Sequence, residues 1–461
     1  MPHRILRQQI ARPVLEICKE LRNAGESAWV VGGCVRDTLR GQQVNDWDVA
    51  TTALPAKVQQ TFRRVIPTGI DHGTVTVLWK GGAYEVTTLR GEGAYSDGRR
   101  PDSVVFVEDI DRDLARRDFT VNAIAYDPVE GRVVDPFHGL VDMRNKVLRA
   151  VGVPSERFQE DGLRILRGAR FVATLDFDLD ETTEAAFRGA LDTFRKVSPE
   201  RVREEWMKTM KARTPSRAFE VMRRTGILEV TYPELLEQVG CEQNQWHAYD
   251  VWDHTMRVLD ESTGEPAERV AALLHDVAKP RTRARSDKTN DWTFYHHERV
   301  GADMAAQWLR DYRFSNRERE LIVGLIRHHL ICYTSDWTDA AVRRFIKRVG
   351  TPNVEPLLRL GEADALGKGR NVEEELAALK ELRIRIDRAV EEGSALSTED
   401  LAIGGTDVIE HLDGRAGPRV GEILRNVLER VIEDPSLNTR DKLMPIVERL
   451  AREGDSLTPR K

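Results

Sequence analysis

The hydrophobic period of the chain changes once, near Arg149, and this change constrains the fold more than any other feature. Before it, short apolar stretches alternate around glycines. "AWVV" (28–31) runs as a strand into Gly32-Gly33, and "CVRDTLRG" (34–41) reads as a helix stopped by Gly41. "HGTVTVLWKGGAYEVTTL" (72–89) reads as two strands of a hairpin around Gly81-Gly82. After the change, "EDGLRILRGARFVATL", "SPERVREEWMKTMKA" and "SRAFEVMRRTGIL" carry apolar residues at three- and four-residue steps, and helical periodicity continues to the end. With 461 residues, one core is excluded. The pattern predicts an α+β chain. A mixed-sheet domain spans 1–145, and helical regions follow over 146–232, 233–392 and 393–461, the last a charged tail.

A net charge of −6 gives no global attraction to nucleic acid, so any such contact needs a local patch. One stands between Thr193 and Arg224, where ten Lys/Arg face four Asp/Glu. Cys18, Cys34, Cys241 and Cys332 are scattered, which argues against a disulfide framework or a cysteine zinc site and fits a reducing cytoplasm. The first residues hold no apolar stretch of signal-peptide length, and no run approaches the ~18 residues of a membrane span, so a cytoplasmic protein without membrane contact is expected.

"VNDWDVATTALP" (44–55) sets Asp46 and Asp48 one residue apart, a spacing that puts both on one face of a strand. The Gly32-Gly33 turn before a helix lets backbone approach a phosphate, and Arg36 stands three residues on. Glu85 adds a third carboxylate on the hairpin's second strand. Three carboxylates beside a phosphate cradle suit two Mg²⁺ ions. In "LARRDFTVNAIAYDP", Arg116-Arg117 offer forked donors to a triphosphate. Asp161 and Arg164, read as three apart on a helix, offer acceptors and donors to a base edge, and Arg167 and Arg170 continue the stripe. Taken singly, each has a plainer reading as a turn, a polar loop or a surface ion pair.

In order along the chain, "WVVGGCVRDTLRG", "NDWDVATTALP", "HGTVTV", "EVTTLR…YSDGRRP", "RRDFTVNAIAYDP", "DPFHGLVDM", "EDGLRILRGARF" and "SPERVREEW" resemble the class II tRNA nucleotidyltransferases, the CCA-adding enzymes and their bacterial poly(A) polymerase relatives, over roughly 25–230. The resemblance implies a nucleotidyltransferase palm over 1–145 and a helical nucleotide- and RNA-binding region over 146–232. It implies Mg²⁺ on Asp46 and Asp48, with Glu85 as the third catalytic carboxylate. The incoming CTP or ATP would meet Gly32, Gly33, Arg36 and Arg117. Asp161 and Arg164 would read its base, backed by Arg167 and Arg170, and tRNA would accept it. The chain departs from the family pattern at His138, usually Gly, and Met143, often Leu. Its full-length loop "TTLRGEGAYSDGRRPDSVVF", with Asp97, Arg99 and Arg100, argues against CC-only addition. Complete CCA addition and A-only addition both remain, and "IPTGIDHGTVTV" has the tRNA-enzyme form rather than that of the poly(A) polymerases.

A second constellation is made of histidines: His247 and His254, His275-Asp276, His296-His297, His328-His329, then Asp364. Over 245–370 they resemble the HD phosphohydrolase domain. The resemblance implies a divalent transition metal or Mg²⁺ on His254, His275, Asp276 and Asp364, with His297 and one of His328 or His329 completing a binuclear form; His328 stands for that pair in the candidate set. A competing function is a phosphohydrolase whose N-terminal half is a nucleotide-binding relic. A binding relic has little reason to keep Asp46, Asp48 and Glu85 together. The sequence sets no oligomeric state.

Overall fold

The computed structural model describes residues 2–91, 105–393, 395–412, 414 and 416–455. The loop segment holding Asp97, Arg99 and Arg100 lies outside them. The chain divides into two compact units, Met1–Leu236 and Glu237–Lys461.

The first unit is built on strands β1 (Ala28–Val31), β2 (Asp48–Thr51), β3 (Val65–Gly69), β4 (Thr74–Trp79), β5 (Gly82–Thr88), β6 (Ala125–Asp127) and β7 (Arg132–Val134), in the order β3-β4-β5-β2-β1-β6-β7. The β2–β5 pair is parallel and every other pair is antiparallel. All four residues of β1 are buried because both faces of the sheet are covered. Ala28 and Val30 join a core with Val14, Ile17 and Leu21 of the helix Arg12–Asn23, while Trp29 and Val31 join Leu89, Leu114 and Ala125 on the other face. The hairpin turns one residue earlier than expected. Trp79 pairs with Gly82, so Lys80 and Gly81 form the two-residue turn, at φ +47° and +84°, the left-handed pair that this connection requires.

Helical structure follows. The helix Leu163–Leu175 buries Ile165, Leu166, Ala169 and Val172, and it packs on Pro199–Thr209 and Ser216–Thr225, whose Trp206 and Phe219 meet edge to face at 5.1 Å. His138 explains the family's usual glycine: it adopts φ +59°, ψ +29°, a left-handed conformation that glycine takes without strain.

In the second unit the helices Val251–Glu261, Pro266–Leu274, His297–Asp311, Asn316–His328 and Thr351–Lys368 carry the histidine segments. The segment expected as a charged tail has a core of its own. Helices Pro418–Glu433 and Arg440–Asp455 bury Ile423, Val427, Val431, Leu443 and Val447 together. Arg343, 6% exposed, ties this bundle to the rest of its unit by donating to the carbonyls of Ile432 (2.7 Å) and Glu433 (3.2 Å) at a helix end. No helix among the described residues is long and apolar enough to cross a membrane.

Candidate active sites

At the end of β1 the chain turns on Gly32, at φ +79°, ψ −140°, a conformation nearly confined to glycine. A Cβ there would lie 2.7 Å from Arg117 Nη1, so the bare backbone admits the guanidinium. Gly33 opens the short helix Gly33–Leu39. Arg36 on that helix gives Nε and Nη2 to Asp37 and Nη1 to Asn122, leaving two of its five N–H groups. On the neighbouring strand Asp48 is the first residue of β2, and the parallel register sets it directly opposite Glu85 of β5. Asp46 is not on the strand; it sits in the irregular stretch before it, so the shared strand face does not exist. The turn that ends at Asp48 still brings its charge close. Desolvation by the cavity walls, then Glu85 and Asp46, push the Asp48 carboxyl upward against the pull of Arg117. Excess negative charge around Asp48 is what a divalent cation would neutralise.

Gly32, Gly33, Arg36, Asp48, Glu85 and Arg117 line one cavity of about 650 Å³ that also contains Asp161, Arg164, Arg167 and Arg170; Asp46, exposed before the strand, is not among its lining residues. Asp161 is not helical. It follows the helix Pro154–Glu160 in an extended conformation, and the next helix starts at Leu163. Gly162 makes this break, since a Cβ there would lie 2.4 Å from the Phe194 amide nitrogen. The aspartate thereby leaves the helix surface and points its carboxylate between Leu163 N (3.0 Å) and Arg201 Nη2 (2.7 Å). Arg164 donates to Glu160 Oε2 (2.6 Å) and to the carbonyls of Arg157 and Arg116. Arg167 pairs with Asp118 at 2.7 Å and Arg170 with Glu205. Burial would raise Asp118, but Arg167 and the Asn122 amide overcome it and hold the carboxyl well below the usual range.

Several residues at this site escape a reading of the sequence. Asp113, 1% exposed, accepts from Arg116 Nε (2.9 Å), Arg117 Nη2 (3.3 Å) and the Arg90 amide (3.1 Å), so it aims both arginines. Its one signal is an aspartate three and four residues before an arginine pair. Arg201 and Glu205 lie within "SPERVREEW", a motif the resemblance expects to brace the site, and their partners are Asp161 and Arg170.

In the second unit four imidazoles converge on one carboxylate. The Nε2 atoms of His254, His275, His297 and His329 lie 3.2–3.7 Å from Asp276, which is 1% exposed and also pairs with Lys279 Nζ at 2.6 Å. Asp364 Oδ1 is 3.1 Å from His254 and 3.6 Å from His275. His275, His297 and His329 each place Nδ1 2.6–2.7 Å from the carbonyl three residues earlier, so Nδ1 carries the proton and a neutral ring leaves its Nε2 lone pair facing the cluster. The His297 and His329 Nε2 atoms stand 3.2 Å apart, two lone pairs that only a cation or a proton reconciles. Against burial, Asp276 and Asp364 push His275 up to about 10, while burial, His275 and His297 push His329 down to about 3. The donor set therefore fits one or two divalent metals, on His254, His275, Asp276 and Asp364 and on Asp276, His297 and His329.

The histidine in this group is His329, not His328. The helix ends at His328, whose ring is half-buried and outside the cluster; one residue further the chain has turned by ~100° and His329 is directed inward.

Comparison with known proteins assigns three regions. Residues 28–149 match the family described as "Poly A polymerase head domain", residues 176–238 that described as "Probable RNA and SrmB- binding site of polymerase A", and residues 247–366 the "HD domain". A protein of Lactobacillus delbrueckii subsp. bulgaricus named CCA-adding enzyme is 47% identical over 93% of this chain and 95% of its own length. One of the same name from Lactiplantibacillus plantarum is 33% identical over 96% of each. Among solved structures, the Bacillus stearothermophilus CCA-adding enzyme in complex with CTP superposes with a TM-score of 0.73 at 27% identity, covering 97% of this chain and all of that one. A Thermotoga maritima CCA-adding enzyme complexed with tRNA shares the fold, with a TM-score of 0.55 at 18% identity over 98% of each chain.

Proposed function

The chain belongs to the CCA-adding enzymes, and from that membership we propose that its N-terminal cavity transfers CMP and AMP from CTP and ATP to the 3′ end of tRNA, without a nucleic-acid template. The observation that carries this reading is the pair of Asp48, at the start of β2, facing Glu85, within β5, in one cavity with the Gly32-Gly33 turn, Arg117, Asp161 and Arg164. Mg²⁺ on Asp46 and Asp48, with Glu85 beside it, would supply the charge that favours attack by the tRNA hydroxyl and departure of pyrophosphate. The chain's own residues do the rest. Gly32 and Gly33 leave room for the triphosphate, and Arg36 and Arg117 hold it by forked donors. Asp161 accepts from the base and Arg164 donates to it, so amino acids stand where a template base would. Arg167 and Arg170, locked on Asp118 and Glu205, fix that helix. We place the functional divisions at 1–145, 146–232, 233–392 and 393–461, and the protein in the cytoplasm.

The relatives' shared name supports complete CCA addition over the A-only and poly(A) readings. Purified protein given tRNA ending before CCA, after C or after CC, with CTP, ATP or both, should complete each end. Extension by AMP alone would return the protein to the A-only class.

A second activity is supported by the imidazole cluster, four rings gathered with Asp364 around the buried Asp276. We propose a metal-dependent phosphohydrolase acting on phosphate esters, with a 2′,3′-cyclic phosphate at a damaged RNA end as a fitting target. Mg²⁺ or a transition metal there would supply an activated water.

A further inference from the structure

We infer that Lys368, and not Lys279, receives the substrate's phosphoryl group in the HD cavity, and that Lys279 is a positioning residue for Asp276. This rests on the phosphohydrolase reading of that site. Both lysines line one cavity of about 270 Å³ together with Asp276, Asp364, His297 and His329. The chain invites the opposite assignment, because Lys279 follows the His275-Asp276 pair by three residues in "HDVAKP".

The surroundings of the two ammonium groups separate them. Lys279 is 6% exposed, and its Nζ has a neighbour for each of its three protons: Gln243 Oε1 at 2.6 Å, Asp276 Oδ2 at 2.6 Å and His247 Nε2 at 3.4 Å. His247 is set to accept, because its Nδ1 lies 3.0 Å from Asn244 Oδ1 and so carries the ring proton. Lys279 is thus held from three sides, and nothing remains for a ligand. Lys368 has two carboxylate neighbours, Glu375 Oε2 at 2.7 Å and Asp364 Oδ2 at 3.2 Å, and its side chain retains 18% exposure. One proton of its ammonium is uncommitted at the cavity wall. Its flexible stem lets the charge follow a phosphate as a point donor. The cavity's size limits the ligand. At about 270 Å³ against about 650 Å³ for the transferase cavity, it is of a size for one phosphoryl group on one sugar.

The test uses the metal-loaded full chain, with 2′,3′-cyclic CMP as substrate and inorganic phosphate as ligand. Lys368→Gln should raise KM and weaken phosphate binding, measured by calorimetry, about tenfold or more, with kcat within about threefold of the parent. Lys368→Arg should recover most of the loss, and metal content by plasma mass spectrometry should be unchanged in both. Lys279→Met should split the other way, lowering kcat and metal retention while phosphate affinity holds in the molecules that keep metal. A thermal midpoint close to the parent's reports that each variant is folded. Unchanged phosphate affinity in Lys368→Gln, or a loss confined to Lys279→Met, overturns the assignment. A parent protein that binds phosphate through Lys368 but hydrolyses nothing would retain the lysine assignment and refute the phosphohydrolase reading alone.

Discussion

Asp48 and Asp118 stand in the same cavity with opposite electrostatic signs. The Asp48 carboxyl is raised by desolvation, Glu85 and Asp46, so its ionised form is disfavoured in the folded protein at neutral pH. That penalty is present above the raised value and relieved as pH falls through it. Asp48→Asn should therefore raise the thermal midpoint at pH 7 in EDTA, with the gain shrinking towards acid pH. Added Mg²⁺ should stabilise the parent and not the variant, and nucleotide addition should be lost. A lower midpoint for Asp48→Asn in EDTA would contradict the assignment of uncompensated charge. The Asp118 carboxyl is depressed, so its contribution is present above the unfolded value and lost as pH falls through the folded one. Asp118→Ala should cost about 2–3 kcal/mol by urea unfolding at pH 7, less than a fully buried pair because Arg167 is 31% exposed. At this scale the reactive residue types and their order are legible in the sequence. Their partners are less so: Asp113 is signalled only by its spacing from an arginine pair, and Arg201 and Glu205 stand in the motif "SPERVREEW" but show their partners Asp161 and Arg170 only in the fold. The choice between His328 and His329 turns on one residue of helix phase, which only the end of the helix decides.

At the scale of elements, the strands and helices follow the hydrophobic period, but the site sits where that period breaks. The sequence puts Asp161 on a helix because Leu163–Leu175 has a clean apolar stripe. The interruption comes from Gly162 meeting the Phe194 backbone, a tertiary contact without a local signal. Gly162→Ala should displace the junction and move Asp161 from Arg201. Discrimination between CTP and UTP should fall more than the affinity for triphosphate, in single-nucleotide addition assays. The basic stretch also changes meaning in three dimensions. Of its ten cations, Arg195, Arg201, Lys208, Arg217, Arg223 and Arg224 form ion pairs, several with acids elsewhere in the unit. Lys196, Lys211 and Arg213 form none among the described residues. Charge reversal of these three should weaken tRNA binding and reduce its salt slope by roughly 0.7–0.9 for each phosphate that is no longer neutralised. CTP binding without tRNA should stay as in the parent, and an unaltered slope would return the patch to a solvated face.

For the whole molecule, the order of motifs along the chain carries the architecture, while the helical bundle past 395 reads as a tail. Its helices are charged on one face and carry an apolar stripe on the other, Ile423, Val427 and Val431 in the first, and which surface that stripe covers becomes visible only when they are brought together. The two constellations lie in different compact units, each with its own carboxylates and its own cavity. No residue of one cavity wall belongs to the other, so the two chemistries should be separable by mutation. His275→Ala with Asp276→Ala removes one imidazole donor and the carboxylate shared by both donor groups, on which all four imidazoles converge. The variant should lose bound transition metal and hydrolysis of 2′,3′-cyclic CMP in Mg²⁺, Mn²⁺, Ni²⁺ and Co²⁺. It should complete CCA ends at a rate within about twofold of the parent, a change near the limit expected for independent sites. Because Lys279 then loses its carboxylate in a buried place, Asp276→Asn serves as the gentler variant, and both should give the same pattern. A fall in CCA addition that tracks the loss of metal in both variants would mean that the units act as one enzyme rather than as two.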